Sequence, residues 1–131
     1  MAQDRPGGAD KTTATQGVPA VDVAVLKALI GDDPATVHGL LFDYRASARQ
    51  FAIALRAAHA ADDVRQIGAI AHQLKSSSRA VEALSLGDLC AELENACRTR
   101  AGEAVSRGMA RFEIEHRVVD DGLGRLLARA V

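Results

Sequence analysis

The chain has 131 residues, of which 48% are apolar but only 3% aromatic, and a formal net charge of −1. That length gives one domain able to bury a core without disulfides or a structural metal. The near-zero charge excludes a protein that grips nucleic acid mainly by electrostatic attraction, and no apolar run approaches the roughly 20 residues of a membrane span. The 26 alanines, with Leu, Val and Ile beside only three prolines, point to an all-α fold.

Residues 1–20 mix Gly, Thr, Gln and Asp around Pro6-Gly7-Gly8 and Gly17-Val18-Pro19 and contain no signal-peptide core. They read as a disordered tail ahead of a folded unit over 21–131, in a cytoplasmic protein. From Val21 a short apolar segment reaches Ile30, and Asp33 followed by Pro34 marks the start of the next helix. That helix carries Val37, Leu41, Tyr44, Ala48, Phe51, Leu55 and Ala58 at alternating steps of four and three. Asp62 is the expected cap of a third helix with Val64, Ile67, Ala71, Leu74 and Ser78 on its seam. A break over 81–85 precedes Leu86, Leu89, Cys90, Leu93 and Cys97. Gly102 then opens a last helix with Val105, Met109, Phe112, His116, Val119, Leu123, Leu126 and Ala130, which Gly122 and Gly124 should weaken to a fray or kink. No window alternates with period two, so no strand is expected. Long amphipathic helices on short connections predict an antiparallel up-and-down four-helix bundle, with the Val21–Ile30 segment as a short N-terminal lid helix.

Cys90 and Cys97 stand two turns apart with no CxxC partner, which reads as two half-buried thiols rather than a disulfide or zinc site. No two of the four histidines stand at i, i+4, so no metal site is expected. His38 and His59 read as surface residues, and His116 as a core or rim histidine hydrogen-bonded to a neighbour. Arg98, Arg100, Arg107 and Arg111 read as a solvated surface.

The stretch around His72 is different. On a helical wheel Ile67, Ile70, Ala71 and Leu74 share the core arc, whereas Arg65, Gly68, His72, Lys75, Ser76 and Arg79 share another. His72 therefore faces outward between Gly68 and Ser76, whose short side chains leave the imidazole open, and Lys75 supplies positive charge. A neutral imidazole is a good nucleophile near physiological pH, and Lys75 with Arg79 would offset the charge of a phosphoryl group. No Gly-rich phosphate loop, no paired carboxylates and no nearby acid obviously placed to run catalysis alone accompany it. A nucleophile presented without machinery predicts that a partner supplies the machinery.

The run Ala71-His72-Gln73-Leu74-Lys75-Ser76-Ser77-Ser78 resembles the Ala-His-x-Leu-Lys-Gly-Ser-Ser motif of histidine phosphotransfer (HPt) domains. The likeness continues through Glu82-Ala83-Leu84-Ser85-Leu86, through Leu89-Cys90-Ala91-Glu92-Leu93-Glu94, and upstream through Leu26 to Pro34. It implies a phosphorelay intermediate in which His72 is phosphorylated on the ring nitrogen far from the main chain and exchanges the group with receiver-domain aspartates. Ser76 and Glu82 stand where the family usually has Gly; the Ser76 hydroxyl is available to hydrogen-bond the phosphoryl group, and Glu82 tests the turn between helices. The implied partners are response-regulator receiver domains and a hybrid histidine kinase, with no nucleic acid and no membrane. The chain itself would carry no cofactor, the divalent cation belonging to the receiver. Counting back through the connection adds Phe42, Ala46, Arg49 and Ile53 to Gly68, Lys75, Ser76 and Arg79 as the expected docking patch. Two rivals stand beside this reading. One is a helical module that binds receivers without transfer. The other is the dimerisation and phosphoacceptor domain of a histidine kinase, which would form a parallel dimer where an HPt protein is a monomer.

Overall fold

The computed structural model describes residues 20–129, and among them it contains five α-helices and no strand. These are α1 (Val23–Ile30), α2 (Pro34–Ala60), α3 (Val64–Ala80), α4 (Leu84–Arg98) and α5 (Gly102–Arg129). The tail expected over 1–20 lies, except for Ala20, outside the described residues, as does Ala130.

Three helices open on an aspartate whose carboxylate accepts a backbone N–H three residues on: Asp22 from Val25, Asp33 from Thr36, and Asp63 from Gln66. Pro34 occupies the first turn of α2, where its missing N–H leaves no bond unmade. The cap of α3 is Asp63 rather than the expected Asp62, and the reason is how α2 ends. Asp62 adopts φ 55°, its N–H reaches the His59 carbonyl at 3.1 Å, and the next N–H, of Asp63, reaches back to Ala58 at 2.9 Å. This is a Schellman closure. The same closure ends α3, through Glu82 to Arg79 and Ala83 to Ser78, and ends α4, through Arg100 to Cys97 and Ala101 to Ala96. In all three the left-handed position carries a side chain, with φ 64° at Glu82 and φ 56° at Arg100. Glu82 therefore keeps the turn that a glycine would make, and its carbonyl also accepts the Asp22 N–H at 3.1 Å, tying α1 to the α3–α4 turn. Relieving the left-handed strain outweighs the freedom that glycine adds to the unfolded chain, so Glu82→Gly should raise stability by about 0.5–1 kcal/mol. A denaturant midpoint that falls instead would show that the side chain matters more than the backbone angle.

The helices meet in the pairs α2–α3, α3–α4, α4–α5 and α2–α5, with α3 and α4 the most closely packed. The seams read from sequence line the core: Leu41, Leu55, Leu74, Leu86, Leu93, Phe112 and Leu123 are almost wholly buried. On α2 the position next to the expected Phe51 takes the burial, since Ala52 is inside and Phe51 is half-buried. Close packing of α3 on α4 uses Gly68, where an added Cβ would stand 3.2 Å from the Cys97 Cβ. Both cysteines are free and buried, more deeply than expected, and burial pushes the Cys90 thiol up to about 12 and the Cys97 thiol up as well. Helix α5 runs unbroken past Gly122 and Gly124, where a fray or kink was expected. Gly124 makes room for Arg45, whose Nη2 would lie 2.8 Å from a Cβ there. Arg45 and Arg49 both fork onto Asp120 and clip α2 to α5, and they hold the Asp120 carboxyl down at about 2. No helix among the described residues is long and apolar enough to cross a membrane.

Two polar side chains are buried in this apolar frame. Ser78 of α3 meets the Tyr44 hydroxyl of α2 at 2.6 Å, and burial pushes the Tyr44 phenol up to about 12. His116 stacks on Phe112 with ring centroids 5.5 Å apart, but its buried Nε2 has no hydrogen-bond partner among the described residues. The expected neighbour bond is thus absent, because the residues around it are the ring of Phe112 and ion pairs already closed on each other. Burial holds the His116 imidazole below its ordinary value; Arg56 and Arg49 act the same way, and Asp120 and Glu113 oppose them. A folded value depressed below the unfolded one near 6.5 means stability that is complete above pH 6.5 and is lost as pH falls through the folded value. Denaturant midpoints taken between pH 7.5 and 5 should therefore drop less for His116→Phe than for the wild type. Parallel profiles would remove His116 from the pH dependence.

Candidate functional site

His72 sits mid-way along α3, on the side turned toward α4, with its side chain 58% exposed. Leu74 and Ala71, its neighbours in sequence, are fully buried, and this fixes the outward direction of the imidazole. The ring is nonetheless anchored. Its Nδ1 lies 2.9 Å from Oε2 of Glu94 on α4, and the other carboxylate oxygen of Glu94 accepts a hydrogen bond from Lys75 Nζ at 2.7 Å. The Lys75 ammonium holds the Glu94 carboxyl below its usual range against the opposing effect of burial, and the His72 contact lowers it further. An ionised carboxylate can only accept, so in the neutral imidazole the proton resides on Nδ1. Nε2 is left with its lone pair bare, in a side chain that is more than half exposed. The arrangement is an imidazole with a fixed tautomer.

The acid beside the histidine was missed in the sequence, where no acid stood out as placed to run catalysis alone. Glu94 appeared only as the last residue of a motif and received no role. Its signal was its place on α4, one residue beyond the core Leu93 and four after Cys90, at the edge of the face that packs on α3. Lys75, expected to offer charge to a phosphoryl group, has its ammonium on Glu94 instead. Ser76 donates its hydroxyl to the His72 carbonyl at 3.3 Å, and Arg79 reaches Asp88 at 3.2 Å.

The structure divides the expected docking patch. Gly68 and His72 share a groove of about 530 Å³ between α3 and α4. Phe42, Ala46 and Arg49 line a different one, of about 380 Å³, with residues of α5 such as Gly124 and Leu127. Arg49 points across that second groove to Asp120, away from the α4 side where His72 lies. Ile53 is exposed and lines neither. Counting residues back through the connection gives a level along α2, but a level does not say which side of the helix a residue takes. His38, stacked on Phe42, and His59 are half-buried rather than fully on the surface. Among the described residues no three His, Cys, Asp or Glu side chains gather as a metal site.

The family model of the Hpt domain matches residues 39–129, which span His72, Lys75 and Glu94. The chain belongs to the Hpt domain family. It is a histidine phosphotransfer protein of the phosphorelay type, and Hpt domains work with receiver domains and kinases in such relays. A crystal structure similar to this fold is that of histidine-containing phosphotransfer protein B (HptB) from Pseudomonas aeruginosa, with a TM-score of 0.77 and 24% sequence identity over 85% of this chain and 96% of that one. No curated protein matches the sequence.

Proposed function

We propose that Nε2 of His72 is the phosphoacceptor, taking a phosphoryl group from the aspartyl phosphate of one receiver domain and passing it to the aspartate of another. The observation that carries this is the Glu94 carboxylate on Nδ1, which leaves Nε2 as the one unprotonated ring nitrogen. As the N–P bond forms, the O–P bond of the acyl phosphate breaks and the partner's carboxylate departs. The ring, still protonated on Nδ1, then bears positive charge beside Glu94, which stabilises it. Lys75 acts as a positioning residue that keeps Glu94 in place. Gly68 and Ser76 keep the approach to the ring low, so a receiver's active site reaches covalent distance. The cation of that chemistry belongs to the receiver, and this chain brings no cofactor. The four long helices form an antiparallel up-and-down bundle with α1 as its lid, and the protein acts in the cytoplasm as a monomer.

The test is the chemical nature of the product. Incubation with a phosphorylated receiver domain, or with phosphoramidate as a small donor, should leave an acid-labile, alkali-stable phosphoryl group that maps to the peptide containing His72. Label elsewhere, or none from either donor, would overturn the reading.

A further inference from the structure

The groove that holds His72 is electrically lopsided. At one end, on the first turn of α3, the last turn of α4 and the turn that follows, stand Arg65, Arg98 and Arg100, all exposed. Among the described residues none of the three meets a carboxylate, and the one hydrogen bond among them runs from Arg98 to the neutral amide of Asn95 at 2.6 Å. Among the described residues Arg79 pairs with Asp88, Arg107 with Glu103 and Arg111 with Glu92, while Arg117, Arg125 and Arg129 of α5 also meet no carboxylate but stand outside this groove. The four arginines expected as one solvated surface thus separate into two neutralised ones on α5 and two uncommitted ones that join Arg65. At the other end of the α3–α4 seam the charge is cancelled by the Arg79–Asp88 pair. Within the site itself Glu94 and Lys75 cancel each other.

Distance decides what the three arginines contact. Arg65 precedes His72 by seven residues, so it stands about 10 Å away along the helix axis. That is too far to touch a phosphoryl group on Nε2 and about right for the rim of a protein docked over it. Gly68 and Ala69 occupy the intervening turn, leaving no large side chain between the guanidiniums and the ring. Arg100 is held by the left-handed backbone that closes α4, which fixes the direction in which the chain leaves that helix.

We propose that Arg65, Arg98 and Arg100 form a cationic rim that captures an acidic surface of the incoming receiver domain and sets which way round it docks. The inference rests on the phosphoacceptor reading of His72 and adds a specificity surface to it. Opposite charges across such a contact act mainly on the rate of encounter, and their reach falls from about 30 Å at 0.01 M salt to about 3 Å at 1 M.

The experiment compares wild type with the triple variant Arg65→Glu/Arg98→Glu/Arg100→Glu, using the receiver domain that transfers fastest to wild type. A control, Arg107→Glu/Arg117→Glu/Arg125→Glu, changes the net charge equally on α5. The second-order rate of transfer should fall at least tenfold for the groove variant at low salt, and the deficit should shrink toward unity as salt rises. The control should lose no more than twofold. Labelling of His72 by phosphoramidate, which needs no docking, should proceed alike in all three proteins and so also reports an intact site. A groove variant within twofold of wild type, or a deficit matched by the control, would overturn the rim. Failure of both the receiver and phosphoramidate to label His72 in the wild type would instead overturn the phosphoacceptor reading, and the rim with it.

Discussion

Replacing His72 by Gln should abolish phosphoryl acceptance outright, and replacing Glu94 by Ala should slow it about 10- to 100-fold with helicity unchanged. The two losses have different origins. Gln at position 72 removes the nucleophile, whereas Ala at position 94 leaves it present but frees its tautomer, so that part of the neutral population carries the proton on Nε2 and cannot attack. It also strips away the negative charge that faces the ring as positive charge develops there. Glu94→Gln separates these effects, because an amide oxygen still accepts from Nδ1–H but brings no charge. Its rate should fall between wild type and Ala. Single-turnover transfer from a phosphorylated receiver measures all three. Equal rates for Glu94→Ala and wild type would show that the 2.9 Å contact is incidental to the chemistry.

The second large effect concerns the core. Tyr44→Phe leaves the Ser78 hydroxyl buried without its 2.6 Å partner, and Ser78→Ala does the same to the Tyr44 hydroxyl. Each single change should cost about 1–3 kcal/mol, the penalty of an unsatisfied buried polar group. The double variant removes both polar atoms and should cost less than the sum of the two. Urea unfolding of the four proteins gives the coupling directly. Strict additivity would mean that the two hydroxyls do not depend on each other and that a neighbour or water serves each. Since Ser78 is six residues along α3 from His72, the pair also helps hold the α2–α3 packing beneath the site.

Sequence alone reached the helices and the seams, which follow from a 3.6-residue period, and it singled out His72 from one motif. It reached the caps where the signal is local, as at Asp33-Pro34. It placed the start of α3 one residue early because the left-handed position that ends α2 carries Asp62, where a sequence reading looks for glycine. The same concealment blurred the α3–α4 turn at Glu82. Glu94 escaped because its importance lies in a partner 22 residues away, which no periodicity on a single helix contains. Phe42, Ala46 and Arg49, which line a different groove from His72, show the complementary limit. Which neighbour each of them faces depends on the order of helices around the core.

The three helix closures, at Asp62, Glu82 and Arg100, have one further consequence. Each passes from one helix to the next through the same short span, pinned by two backbone bonds, and that span acts as a phase lock between successive helices. One residue inserted beside Glu82 would turn α4 by about 100° relative to α3. Glu94 would swing off His72 while every core position on α4 lost its face at once. The connection lengths, more than the composition of any surface, keep the nucleophile in register with its acid.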